Sequence, residues 1–387
     1  MPDRNPGFQQ RTVVALGLGA VGRLPEECER LGMSRPVAVI DSALRDLPAG
    51  QTIRRLLPEA PMASPPPGEP TFETVQELLE SVRVHTPDGI IAVGGGSTID
   101  SCKVVRGMLA TGDVTPDQVV EHLDNAQLAP FVAIPTTAGT GAEVGSGAIV
   151  IDPASGAKTL IKATVLAPDI ALADGDMTIG LPPHLTAYTG LDAFAQAFLA
   201  YVSAGAESVS GQLALISMQA IAKALPNAVD RGEDRNARGE MMRGSVTGAM
   251  AMFNAPPIYA AEHLFAEAIG PAVQVHHGHL VAAFLVPTVL LNREALADPY
   301  AEVAGALGWA NGPNPVDGLV DGLVDLVEAC GVRPAGEAAA NVDMSDLVRY
   351  CLDSDAAELN PVALDEKRVA AVLTAGFAGD WRMMDPV

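Results

Sequence analysis

The segment DGIIAVGGGSTIDSCK (Asp88–Lys103) decides the fold of the first half of the chain. An apolar run ends in three glycines, and a helical pattern begins directly after them. A strand that turns through glycines into a helix brings free N–H groups and the positive end of the helix dipole together, which suits a pyrophosphate. Any tight strand-to-helix turn can use glycines, so this run alone leaves a purely structural role open.

Strand and helix patterns alternate on both sides of this segment. The pattern predicts strands at Thr12–Gly19, Pro36–Asp41 and Phe131–Gly141, helices at Leu24–Gly32 and Thr71–His85, and a hairpin over Ala148–Ile161 that turns at Pro153–Gly156. Such alternation is typical of a mostly parallel sheet covered by helices. Beyond about residue 183, long helical patterns dominate. We therefore expect a Rossmann-like α/β dinucleotide-binding domain over residues 1–183 and an all-α domain over residues 184–387.

Composition narrows the class of protein. The length of 387 residues exceeds the roughly 250–300 residues at which one hydrophobic core stops growing, so two domains are expected. The formal net charge of −23 argues against nucleic acid and anionic membranes as partners. None of the four cysteines stands in CxxC spacing, and no signal or membrane-spanning segment is visible, which favours reduced thiols and a cytoplasmic protein.

Two further glycine-rich turns follow predicted strands. PTTAGTG (Pro135–Gly141) offers threonine hydroxyls and a flexible backbone for the sugar and base of a nucleotide, although a polar loop at a sheet edge is the alternative. GLGAVG (Gly17–Gly22) fits the G-x-G-x-x-G fingerprint, which is weak by itself. Asp41 ends the next strand, where an acid would bind a ribose hydroxyl and repel a 2′-phosphate.

The helical half contains histidines and carboxylates at helical spacing. Asp192 precedes Gln196 by one turn, His263 precedes Glu267 by one turn, and His276 and His277 stand before a further helix. A divalent metal requires three or four N and O ligands, which such residues could supply. A lone histidine on an apolar helix is more often a packed core residue, so the spacing leaves that alternative open.

Taken together, these motifs resemble the iron-containing alcohol dehydrogenases, relatives of glycerol dehydrogenase and dehydroquinate synthase. The resemblance covers nearly the whole chain. It rests on Asp88–Lys103, PTTAGTGAEV (Pro135–Val144), LPPHLTAYTGLDAF (Leu181–Phe194), HHGHLVA (His276–Ala282) and LNP (Leu359–Pro361). It implies a dinucleotide domain followed by a helical metal-binding domain, and a homo-oligomer.

The resemblance also implies a cofactor site. The residues expected to bind pyrophosphate and to line the nucleotide and nicotinamide sites are Gly94, Gly95, Gly96, Ser97, Thr136, Thr137, Thr140, Lys162 and Leu181. The motif also assigns Asp100 to the cofactor, although helical spacing would equally let it pair with Lys103 on the same face. Asp41 falls where NAD-preferring members carry an acid, which favours NAD over NADP.

For the metal, the resemblance implies Asp192, His263 and His277 as ligands. Iron-type members carry a histidine where this chain has Gln196, which could ligate weakly or bind a metal-bound water. The ion could therefore be Fe(II) or Zn(II). Many members also carry a histidine at the position of Glu267. The proton could leave by water, by His276 or by Glu267, and Glu267 could instead neutralise the metal or exclude anionic substrates.

The implied reaction moves a hydride between an alcohol, polyol or hydroxy acid and nicotinamide, with the metal as Lewis acid. Three alternatives stay open at this stage. The chain could oxidatively decarboxylate a β-hydroxy acid in a tailoring pathway, act as a dehydroquinate synthase-like lyase, or be a degenerate binding protein. Gln196 and Glu267 are the residues that keep the last alternative open.

Overall fold

A six-stranded sheet organises the first half of the computed structural model, which describes residues 7–113, 115–123, 126–152, 158–256 and 261–382. The strands of the chain are β1 (Val13–Leu16), β2 (Pro36–Ile40), β3 (Met62–Ala63), β4 (Gly89–Gly94), β5 (Phe131–Pro135), β6 (Gly147–Ile151), β7 (Lys158–Lys162) and β8 (Ile170–Ala173). The order across the large sheet is β1-β8-β5-β4-β2-β3, and its neighbouring strands pair in parallel. The carboxyl ends of β2, β4 and β5 therefore meet at one edge.

Helices cover both faces of this sheet. They are α1 (Leu24–Arg30), α2 (Pro48–Leu56), α3 (Phe72–Arg83), α4 (Gly96–Thr111) and α5 (Val119–His122). Alternate residues of β4 enter two separate cores: Ile90 packs in the core that contains residues of α3 and α4, and Ile91 in the core that contains residues of α1 and α2. Burial on both faces explains why β4 reads as a continuous apolar run rather than an alternating pattern.

A separate two-stranded sheet follows β5. Its strands β6 and β7 pair antiparallel, as the predicted hairpin requires. The turn predicted at residues 153–156 lies outside the described residues. Ile149 and Leu160 are opposite each other in the register, and both are exposed.

The second half is helical. Its helices are α6 (Pro183–Ala204), α7 (Val209–Asp230), α8 (Arg235–Phe253), α9 (Ala261–Val273), α10 (His277–Asn292), α11 (Ala297–Leu307), α12 (Pro315–Ala329), α13 (Gly336–Ala339), α14 (Met344–Leu352) and α15 (Glu366–Ala378). Helices α6 and α10 are buried along most of their length. None of the described helices has the length and apolar character needed to cross a bilayer.

The chain divides into two compact units near residue 182. One unit contains Gln9–Leu181 together with Gly232–Ala249, and the other contains Pro182–Arg231 and the described residues from Met250 onward. Most of α8 groups with the sheet because it packs closely there: a Cβ on Gly175 would lie 2.5 Å from the backbone nitrogen of Gly239. The assignment of cofactor binding to residues 1–183 and metal binding to residues 184–387 stays a prediction.

Candidate metal centre and nucleotide-binding loops

The glycine turn after β4 and the threonine loop after β5 lie side by side. Gly94 and Pro135 are register partners, and the backbone nitrogen of Thr136 donates to the Gly94 carbonyl over 3.0 Å. A Cβ on Gly95 would be 3.4 Å from the Thr137 side chain. The structure therefore brings together two loops that the sequence placed about forty residues apart.

Helix α4 starts inside this pair of loops. Its N-cap is Gly95, which provides no side-chain hydrogen bond to the free N–H groups of the first turn, and Ser97 in that turn is exposed. A helix start with open N–H groups is suited to a phosphate. Thr140 packs against the same turn, because a Cβ on Gly96 would be only 2.7 Å from its hydroxyl oxygen.

Substitution of Gly96 by alanine tests this turn. The added methyl group would displace Thr140 or the helix start, so we expect the dissociation constant of NAD to rise by about 10-fold, or about 1.4 kcal/mol. The matched control is Gly22→Ala, since a Cβ at Gly22 would meet no atom within 4 Å. Calorimetric titration with NAD measures both variants, and equal affinities would contradict the predicted role of the turn.

Asp41 lies beside the glycine turn. It follows β2 directly, and its backbone nitrogen donates to the Val93 carbonyl over 2.9 Å. Its carboxylate accepts one hydrogen bond from the backbone nitrogen of Ala43 and is partly exposed. This placement suits contact with a ribose hydroxyl, which stays a prediction.

Asp100 and Lys103 connect α4 to the β6–β7 hairpin. Asp100 accepts from Lys103 Nζ over 3.0 Å and from the backbone nitrogen of Ile149 over 3.1 Å. Lys103 is fully buried and also donates to the Gly147 carbonyl over 2.6 Å. These contacts show a structural use for Asp100, which the sequence assigned to the cofactor.

Glu143 adds a second carboxylate to this region. Its side chain is buried, and burial raises its pKa to about 7 although the charge of Lys103 acts in the opposite direction. Lys103 is thus the buried positive charge close to two acidic side chains.

Two other predicted cofactor residues lie elsewhere in the same unit. Lys162 ends β7 with an exposed side chain. The carbonyl of Leu181 accepts a hydrogen bond from Arg238 Nη2 over 3.2 Å. Their roles near the nicotinamide stay predictions.

The fingerprint Gly17–Gly22 has a different partner from the one that such turns usually bind. The backbone nitrogens of Gly19 and Val21 each donate to the Asp174 carboxylate over 3.1 Å. Asp174 is fully buried at the end of β8. Because the Asp174 carboxylate already accepts from these two backbone N–H groups, the interpretation of this turn as a phosphate site is not supported.

Asp192, His263 and His277 converge in the helical unit. They come from α6, α9 and the first residue of α10, and one ligand atom from each lies within 4.8 Å of the others. Helix α10 reaches α6 because Gly278 has no side chain: a Cβ there would be 2.5 Å from the Tyr188 carbonyl oxygen. This close approach places His277 next to Asp192.

Three buried polar atoms at this cluster fit a cation. Asp192 Oδ1, His263 Nε2 and Gln196 Oε1 have no hydrogen-bond partner within the described part of the chain. Asp192 Oδ1 and His263 Nε2 are 3.3 Å apart. A buried unsatisfied polar group costs about 1–3 kcal/mol, so three together point to a ligand that accepts their lone pairs. All three are donor types that Fe(II) and Zn(II) accept.

The pKa shifts of the cluster residues also fit a bound cation. Burial would raise the pKa of Asp192, but the imidazoles of His263 and His277 outweigh burial and hold it below its ordinary value. Burial would lower the pKa of His263, but Asp192 and Glu262 raise it to about 10. The carboxylates of Asp192 and Glu262 therefore favour positive charge at the His263 ring, which is also the environment that a metal cation requires.

The remaining predicted residues surround this cluster. Gln196 is buried one turn after Asp192, and half-buried Glu267 lies one turn after His263. His276 is exposed and caps α10, where its Nδ1 accepts from the backbone nitrogen of Gly278 over 3.2 Å. The neutral ring therefore carries its proton on Nε2. The ligand role of Gln196 and the proton-transfer roles of Glu267 and His276 stay predictions.

Reasoning from the sequence missed several residues near the cluster. Glu262 is buried directly beside His263. The ring of Tyr188 stacks on His279 with centroids 4.3 Å apart, and His279 Nε2 donates to the Arg333 carbonyl. A charged residue inside the apolar run AAEHLF was the signal that could have identified Glu262.

Comparison with known proteins agrees with this geometry. The sequence model of the family 'iron-containing alcohol dehydrogenase' matches residues 12–175. A second family model, which describes the C-terminal part of Fe-containing alcohol dehydrogenases, matches residues 186–377. The probable alcohol dehydrogenase EutG of Salmonella typhimurium is 34% identical over 305 residues, which are 78% of this chain and 76% of that protein. The chain belongs to the iron-containing alcohol dehydrogenase family. Its fold class and its assignment as an oxidoreductase acting on CH–OH groups are thereby confirmed, as are the expected cofactors, NAD and one metal ion.

Other relatives of this family member cover more of the chain. The 4-hydroxybutyrate dehydrogenase of Cupriavidus necator is 32% identical over 352 residues, which are 87% of this chain and 90% of that protein. The crystal structure of a 1,3-propanediol oxidoreductase superposes with a TM-score of 0.86 at 27% identity and covers 96% of this chain and 99% of that one. These matches favour dehydrogenation over the decarboxylase, lyase and degenerate alternatives.

Proposed function

We propose that this family member oxidises small alcohols, polyols or hydroxy acids with NAD at a metal site formed by Asp192, His263 and His277. The observation that carries the proposal is the convergence of these three residues, with ligand atoms within 4.8 Å of one another. The names of two relatives state substrates of this size, which are 4-hydroxybutyrate and 1,3-propanediol.

A bound metal ion would supply a Lewis acid for the substrate hydroxyl, and bound NAD would supply the hydride acceptor. We propose that the buried carboxylate of Asp192 would neutralise part of the cation's charge. The two imidazoles would hold the cation in position. Gln196 lies one turn after Asp192, and its buried Oε1 could add a weak fourth ligand or bind a metal-bound water. The set suits Zn(II) as well as Fe(II). Glu267 or His276 would pass the released proton to water.

For the cofactor, we assign the pyrophosphate to the first turn of α4 and the adjoining threonine loop. The residues proposed to contact NAD are Gly94, Gly95, Gly96, Ser97, Asp100, Thr136, Thr137, Thr140, Lys162 and Leu181. Asp41 would favour NAD over NADP, because its carboxylate lies beside the turn and would repel a 2′-phosphate. We further propose a cytoplasmic homo-oligomer, and the four buried free cysteines accord with a reducing compartment.

Metal removal tests the proposed site. Dialysis against a chelator is expected to abolish NADH formation from a panel of alcohols, polyols and hydroxy acids, since the Lewis acid is lost. The affinity for NAD should not change, because no loop residue proposed for NAD is a metal ligand. Readdition of Fe(II) or Zn(II) identifies the active metal. Full turnover in the chelated protein, with elemental analysis showing no metal, would overturn the proposal.

A further inference from the structure

Glu262 is a buried carboxylate behind one metal-ligand candidate. Only 1% of the residue is exposed, and its Oε1 lies 3.4 Å from Nδ1 of His263. The other ring nitrogen, Nε2, is 3.3 Å from Asp192 Oδ1. The His263 imidazole therefore lies between two carboxylates, one at each nitrogen.

A metal ion at Nε2 would fix which nitrogen of His263 carries the proton. The one proton of the neutral ring would then stay on Nδ1 and be donated to Glu262, since a carboxylate can only accept. The lone pair of Nε2 is then directed toward Asp192 and His277, where a cation would bind. Carboxylates and carbonyls in this position orient ligating histidines and make the opposite nitrogen a better donor.

The burial of Glu262 requires a nearby positive charge. An isolated buried carboxylate is strongly disfavoured, and its ionised form persists where a partner compensates for lost hydration. Neighbouring Tyr300 is fully buried and uncharged at neutral pH, since burial and the charge of Glu262 raise its pKa. The His263 ring lies between Glu262 and the position proposed for the ion, so a cation bound at Nε2 would compensate part of this buried charge through the ring.

We infer that Glu262 is a positioning residue of the metal site, which holds His263 with Nε2 toward the ion and supplies a second negative charge. This inference rests on the proposed function. It also bears on Gln196, because a neutral amide in place of an imidazole weakens the donor set and a carboxylate behind His263 strengthens it. The 3.4 Å bond is long, which indicates an effect at the lower end of the range for such residues.

Two substitutions separate the charge of Glu262 from its hydrogen bond. Glu262→Gln keeps an oxygen acceptor and removes the charge, whereas Glu262→Met removes both at similar volume. We expect the dissociation constant for Zn(II) to rise about 10-fold in Glu262→Met and by less in Glu262→Gln. Competition with a chromogenic chelator measures the affinity, and the absorption spectrum of the Co(II)-loaded protein reports the coordination geometry.

Thermal unfolding of the metal-free protein provides the second readout. A purely structural role predicts that both variants destabilise the metal-free chain. A positioning role predicts metal-free melting temperatures no lower than that of the parent, because a buried charge has been removed, and a smaller gain in stability on addition of Zn(II). The matched control is Glu302→Gln, which removes a carboxylate that binds Tyr201 on a neighbouring helix.

The outcomes separate this inference from the proposed function. If the parent chain binds no Zn(II) or Fe(II), the proposed metal site fails together with the inference. If the parent binds the metal and both Glu262 variants bind it as tightly, only the positioning role of Glu262 is overturned. If Glu262→Met does not fold, the affinity of Glu262→Gln decides.

Discussion

Substitution of Asp192 by asparagine is expected to lower turnover with NAD by about 10³-fold, because the metal supplies several kcal/mol of transition-state stabilisation. Asparagine has the shape of aspartate, but it lacks the charge that balances the cation. The carboxylate is buried, and its Oδ1 has no hydrogen-bond partner among the described residues. The loss should therefore come from the metal rather than from the fold.

Metal content and turnover should be measured on the same preparation of Asp192→Asn. We expect little bound metal, an unchanged affinity for NAD and a melting temperature in the metal-free state close to that of the parent. Asp298→Asn is the control, since this exposed residue lies in the first turn of α11. If Asp192→Asn turned over as fast as the parent, the Asp192 carboxylate would have no role in the reaction.

Substitution of Lys103 by methionine is expected to lower the free energy of unfolding by about 3–5 kcal/mol, as for other broken buried ion pairs. Lys103 is completely buried, donates to Asp100 and to the Gly147 carbonyl, and lies close enough to Glu143 to oppose the effect of burial on its pKa. Methionine fills the space but leaves the acidic side chains without a cation. Urea unfolding monitored by circular dichroism measures the change.

Glu143 provides the internal test of this explanation. Its pKa of about 7 in the folded chain lies above the ordinary value of 4.5, so the folded chain loses stability as the pH rises from 4.5 through 7 and Glu143 ionises. At pH 8, the double variant Lys103→Met/Glu143→Gln should therefore be more stable than Lys103→Met alone. Lys223→Met, at an exposed position on α7, should have the stability of the parent. Equal stability of the single and double variants would contradict a charge-based origin.

The two-part architecture could be predicted from the sequence because it depends on local patterns of apolar residues and glycines. Continuous apolar runs such as β4 are buried on both faces, and the glycines after β4 mark a turn whose geometry is local. The β4 and β5 loops were each predicted, but that they lie side by side depends on the strand order, which the structure supplies. The metal cluster could not be derived in this way. Spacing on a helix shows which residues share a face, but which helices meet depends on contacts such as that of Gly278 with the Tyr188 backbone.

The residues that the sequence could not place depend on contacts between distant segments. Asp174 is more than 150 positions from the turn that it binds. Asp100 was assigned to the cofactor from its motif, whereas its contact with Ile149 becomes visible only once the hairpin is placed against α4. The grouping of α8 with the sheet unit depends on Gly175 and Gly239, and neither glycine stands in a recognisable pattern.

The carboxylate of Asp174 has a consequence for how a dinucleotide meets this protein. A negatively charged group that is covalently tethered beside Gly19 and Val21 acts at a very high effective concentration. Free phosphate groups compete poorly against such a built-in anion, so the first glycine motif of the chain is closed to unproductive binding. A search of this sequence for dinucleotide fingerprints would select that motif, although Asp174 already satisfies its backbone donors.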